Sequence, residues 1–306
     1  MAINRRYGKG DLCGVSIGKE AMFGVSPEAS GMNHAGVVKT YDPGIDYEYD
    51  EVVDCGKRTR GKKYVSKKDV SPSVSFRLGK DVSLMSWFEF VLGKTASTVD
   101  LYQAPDSHTV HLKIGSGDYD TLVGCNVDKL TITSEDLGKA ILVTADLFAK
   151  NVLVNDEQYA NYGKQISQQT PMRAFNKWVC TDASIGTINS GKWTLTIAQN
   201  LQKVAGSDGE ITLGSGESPY LGVPEVTLEI TIPASSRKWD LLREEGKDGL
   251  RFSMVLGDVT ITLTDCMVGG RGPSRSEDPY DETITLEVTN ITVTSNATPR
   301  SVDGDA

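Results

Sequence analysis

Hydrophobic and polar positions alternate with a period of two through much of the chain. Trp193, Leu195 and Ile197 alternate with Lys192, Thr194 and Thr196, which predicts a strand with one face in a core and one in water. The same period links Val226, Leu228, Ile230 and Ile232 against Glu225, Thr227, Glu229 and Thr231. It recurs in Val259, Ile261 and Leu263, and in Val74, Phe76 and Leu78. Further strands are predicted at Thr98–Gln103, Thr109–Ile114 and Leu122–Thr133. Ala140–Phe148 puts Ile141, Val143, Ala145 and Leu147 on one face but Leu142 and Phe148 on the other, so both sides are expected to be covered. Leu12–Val25 has room for one or two short strands. The stretch Trp178–Leu201 reads as two strands reversed at Asn189-Ser190-Gly191, where glycine supplies the freedom a tight turn needs. Near the end, Ile284, Leu286 and Val288 keep even phase while Ile291 and Val293 are odd. That slip at Asn290 predicts a bulge or a change of sheet.

Two segments carry the helical period instead. Leu84, Trp87, Phe88, Val91 and Leu92 form one apolar stripe, with Asp81 or Ser83 to cap its start and Gly93 to take the left-handed position after its end. The second is Arg237–Glu245, capped by Ser235 or Ser236 and ended by Gly246. Many strands with only two helices, and no strand–helix alternation, predict a mainly β fold rather than a parallel α/β enzyme. Asn155–Pro171 and Gln202–Pro219 read as long exposed loops.

Composition narrows the class. The 306 residues suffice for one large β domain or two smaller ones. A chain of this length buries roughly 75% of its unfolded surface and needs no disulfides. The five cysteines, Cys13, Cys55, Cys125, Cys180 and Cys266, are widely spaced with no CxxC pair, as expected of reduced, mostly buried thiols in a cytoplasm. The N-terminus has charge but no apolar run behind it, so it is not read as a secretory signal. No apolar stretch approaches the ~20 residues of a membrane span. The formal charge of −9 argues against a protein that grips nucleic acid. Within that acidic balance, an acidic segment from Thr40 to Asp54 precedes a basic run from Cys55 to Asp69. The basic run reads as a solvated loop, and the two segments are candidates for pairing between neighbouring subunits through Lys62, Lys63, Lys67 and Lys68.

Candidate chemistry is sparse. Gly186–Trp193 resembles a phosphate-binding loop but has Trp193 where the Mg²⁺-binding hydroxyl belongs, and it opens a strand rather than a helix. His108 and His111 are three apart in a predicted strand, hence on opposite faces, and with His34 they read as surface histidines. Asp118 with Asp120, and Glu277 with Asp278, read as solvated loop acids rather than a calcium site or a glycosidase pair. Asn290 and Asn296 match the glycosylation pattern, by accident in a chain read as non-secreted. Trp87, Trp178, Trp193 and Trp239 read as core, and Cys125 and Cys180 as buried fillers. The expectation is therefore no catalytic, cofactor-binding or metal residues, and no enzyme.

Two segments carry a family likeness. Val123–Asn151 (VGCNVDKLTITSEDLGKAILVTADLFAKN) resembles a strand pair of phage tail tube proteins. Phe175–Gln202 resembles the part that follows, with Trp193, Leu195, Ile197, Asn200 and Leu201 in the places of that pattern. The strands Arg251–Cys266 and Asp281–Ser295 suit its closing part. The likeness spans roughly Ser73–Ser295 and is structural rather than chemical. It implies an antiparallel β-sandwich or partial barrel of the tail-tube type with two short helices packed on it. Residues 1–72 would be an N-terminal arm and loops for inter-subunit contacts, 73–295 the tail-tube domain, and 296–306 a flexible tail. The implied function is a structural subunit of a viral tail tube, in stacked hexameric rings around a channel that carries the genome during ejection. The partners implied are other copies of the chain, a tape measure, a tail terminator and a baseplate or tip, with DNA passing but not tightly bound. The protein would be made in the host cytoplasm and reside in the virion tail. The competing expectation is a carbohydrate- or protein-binding β-sandwich module of a virion or extracellular protein.

Overall fold

The computed structural model describes residues 14–28, 31–51, 63–78, 84–95, 98–100, 105–114, 118–136, 139–154, 177–181, 185–190, 192–201, 204–205, 211–212, 222–233, 249–268, 274–275 and 281–296. In chain order the strands begin with β1 (Gly14–Lys19), β2 (Asn33–Asp42), β3 (Ile45–Glu51), β4 (Lys63–Val70) and β5 (Ser73–Arg77). Helix α1 (Leu84–Leu92) follows, then β6 (Lys94–Thr95), β7 (Thr98–Asp100), β8 (His108–Ile114), β9 (Asp118–Ser134), β10 (Leu142–Phe148) and β11 (Asn151–Val154). Next come β12 (Lys177–Cys180), β13 (Thr187–Asn189), β14 (Lys192–Ala198), β15 (Val204–Ala205) and β16 (Ile211–Thr212). The last are β17 (Glu225–Pro233), β18 (Leu250–Leu256), β19 (Val259–Val268), β20 (Ser274–Arg275) and β21 (Asp281–Ser295).

The fold is mainly β, as the alternation predicts. Six strands close a ring in the order β1, β8, β9, β10, β5, β2 and back to β1, each pair antiparallel. Closure leaves these strands no open edge. The ring bends at bulges, where the β8–β9 register shifts between His108 and Val110 and the β10–β9 register between Asp146 and Leu147.

From the C-terminal half of β9 the sheet continues through β14, β17, β21, β19, β18, β12 and β13. Four strands lie between β14 and β12 in that order. Yet Trp193 of β14 and Trp178 of β12 meet edge to face, with centroids 5.7 Å apart. The extension therefore curls back over its own inner face. One hydrophobic cluster runs through ring and extension, from Val15 and Phe76 to Trp193, Leu286 and Val293.

The slip at Asn290 is present as a change of partner strand within one sheet, but β21 itself carries no bulge, its register with β17 and β19 being unbroken. Opposite it, β19 carries an extra residue against β18, between Leu250↔Cys266 and Phe252↔Leu263. Asp265 takes positive φ there, at 52°, and Thr289 Oγ1 donates to its carbonyl at 3.1 Å. Buried positions of β19 change phase at the same place. Strand β21 pairs with β17 before the slip and with β7 after it.

Helix α1 forms as the stripe predicts, but Met85 and Phe90 are buried as well as the stripe. It reaches three strands of the ring. Trp87 Nε1 donates to Ala35 O of β2 at 3.1 Å, Trp87 stacks on Phe76 of β5 at 4.7 Å, and Phe90 lies 4.3 Å from the His108 ring of β8. Each such buried aromatic contributes about 1.5–3 kcal/mol. Gly93 takes the left-handed position, φ 79°, and its N–H donates to Glu89 O. At the other end, the Leu84 N–H donates to Asp258 Oδ1 at 3.2 Å. Asp81, Ser83, the second helical segment with Trp239, the predicted loop Asn155–Pro171 and residues 297–306 lie outside the described residues, whereas within the predicted loop Gln202–Pro219 the short strands β15 and β16 pair antiparallel.

One turn is placed differently. The reversal lies between β12 and β13, which pair from Lys177↔Asn189 to Val179↔Thr187, with the Cys180 N–H donating to Gly186 O. Beyond β13 the chain passes to β14, whose partners are β17 and β9. Asn189 and Ser190 thus lead from one ladder to another rather than forming the predicted hairpin turn, and Gly191 lies outside the described residues. Buried Ser190 holds the passage, with Oγ in hydrogen-bond range of the carbonyls of Lys192 and Thr231.

Candidate functional site

The phosphate-loop likeness spans β13 and the start of β14. A strand follows it, so no helix N-terminus is present there to face an anion.

The two neighbouring histidines differ from expectation. Both lie in β8 and both are buried, His108 at 6% and His111 at 1% exposure, so neither is a surface residue. Burial beneath α1 pushes the His108 pKa down to about 4, against the opposing pull of the Asp106 carbonyl, 2.9 Å from Nδ1, and of the Asp106 charge. His111 Nδ1 lies 3.0 Å from Thr121 Oγ1 and its ring stacks on Tyr119. The His34 backbone pairs with Ser16 across β1–β2. Among the described residues, no group of three His, Cys, Asp or Glu side chains is placed to hold a metal.

Asp118 and Asp120 are in β9, not in a loop, and Asp120 is buried. Periodicity missed this because Asp120–Val127 is covered on both faces. Glu277 and Asp278 lie outside the described residues. A buried acid that the sequence did not flag is Glu20. Its Oε1 accepts from Thr109 Oγ1 and the Gly124 N–H, and its Oε2 from Ser107 Oγ and the Gly24 N–H, all at 2.8 Å. Four donors satisfy the carboxylate and tie the turn after β1 to β8 and to the bend in β9. The arrangement is structural, since its acceptor capacity is spent.

The described tryptophans Trp87, Trp178 and Trp193 are core residues. Cys125, Cys180 and Cys266 are buried free thiols. Burial pushes the Cys125 thiol pKa well up and that of Cys266 up to about 12, so neither is an activated nucleophile. Cys13 and Cys55 lie outside the described residues.

What the chain offers instead is surface. The acidic and basic runs pair with each other inside one chain. Strands β3 and β4 form a separate two-stranded antiparallel ribbon, with Tyr47↔Lys68, Glu48↔Lys67 and Glu51↔Lys63 in register. Lys63–Val70 is therefore a strand and not a loop. At the ribbon base, Val70 is buried in the core and Ile45 packs against it.

The family-like residues Asn200 and Leu201 lock the end of β14. Asn200 takes φ 51° and its Nδ2 donates to Val223 O at 2.8 Å. The Leu201 N–H donates to Asp128 Oδ1 at 3.0 Å, and buried Gln199 donates through Nε2 to Val91 O at the end of α1. Asp128 also edges a cleft of about 190 Å³ over Pro72, Leu147, Phe148 and Leu201, with Asp146 on its other side. Threonines line the outward face of the same sheet, with Thr144, Thr131, Thr196 and Thr227 opposite one another across four strands. Two exposed valines, Val179 and Val255, lie on the adjacent strands β12 and β18. No known family model and no curated protein matches this chain.

Proposed function

We propose that the chain is a non-enzymatic structural subunit of a viral tail tube, assembling into hexameric rings that stack around a channel for the genome. The observation that carries this reading is the ribbon β3–β4. Two strands alone are marginally stable in water, and this pair hydrogen-bonds to no third strand among the described residues, with support from the core at Ile45 and Val70 and from β16 beside β4. A neighbouring copy supplies the missing surface. Closed rings also satisfy the short strands left at the margins of the curled extension. The motif residues Trp193, Leu195, Ile197, Asn200 and Leu201 support the reading, because they build the junction of β14 with β9 and α1. The charge of −9 suits a wall that lets phosphates slide past. Other tail proteins, namely a tape measure, a terminator and a baseplate or tip, would meet the ends of such a tube in the virion.

A glycan-binding module needs exposed aromatic platforms, and Trp87, Trp178 and Trp193 are buried. Sedimentation of the purified chain tests the proposal. Material sedimenting far faster than 33.1 kDa as concentration rises supports it, and a monomer throughout contradicts it.

A further inference from the structure

We draw no further inference here: the strongest candidate, the cleft beside the β9–β10 bulge with its apolar floor of Pro72, Leu147, Phe148 and Leu201 between Asp128 and Asp146, carries nothing because nothing in the structure shows what covers it.

Discussion

His108 is where side-chain environment ties stability to pH in the mildly acidic range. Its ring lies against Phe90, and burial holds it neutral, with a pKa of about 4 against 6.5 for an exposed imidazole. The folded pKa is depressed, so the unfolded chain binds the extra proton first. Stability is complete above pH 6.5 and falls as pH drops toward 4, by about 3 kcal/mol in all. Urea midpoints across that range should fall more steeply for the wild type than for His108→Gln, and parallel curves would refute the assignment. The residue was visible in the sequence, but its burial was not. A histidine three places from another reads as surface until the helix that covers it, α1, is known to cross β8. Glu20 is the same kind of case. Nothing local marks it, because its four donors come from Gly24, Ser107, Thr109 and Gly124, up to a hundred residues away. By contrast Trp193, Leu195 and Ile197 were legible at once, since each has a polar neighbour on either side and one face of β14 is wet.

At the scale of elements, the sequence was readable where a strand has one wet face and failed where both faces are covered. Strands β14, β17 and β19 and the phase change at Asn290 follow from period two alone. The start of β9 does not, because Asp120–Val127 is buried throughout and carries no alternation. Pairing is also non-local. The β1–β8 and β2–β5 contacts that close the ring join segments whose separation in sequence gives no clue, and the acidic and basic runs gave no sign of pairing within one chain. The joint between ring and ribbon is Gly44, which takes φ 52°. A Cβ there would lie 2.0 Å from Ser71 O, and the Ser71 N–H donates to Gly44 O at 3.0 Å. Gly44→Ala meets rigid backbone as well as an unfavourable φ, for a cost of about 1–3 kcal/mol. The ring does not depend on this joint. Hydrogen exchange should therefore quicken in β3 and β4 and stay slow in β9 and β10, and uniform quickening would show that ribbon and ring are one unit.

For the whole molecule, a closed ring of strands is continued by a sheet that curls until Trp178 meets Trp193, with α1 sealed between strands of both parts. Sequence periodicity gave the class of this architecture, and no periodic signal specifies which strands close. The outward threonines and the ribbon are surfaces on which the proposed assembly would draw, and among the described residues no group of three His, Cys, Asp or Glu side chains is placed to hold a metal. An account built on assembly stands or falls on what the purified chain does in solution. Electron microscopy of that chain is the most direct measurement. The account predicts six-fold rings with an open channel, stacking into tubes. Isolated particles of single-chain size at all concentrations, or a closed oligomer with no channel, would contradict it.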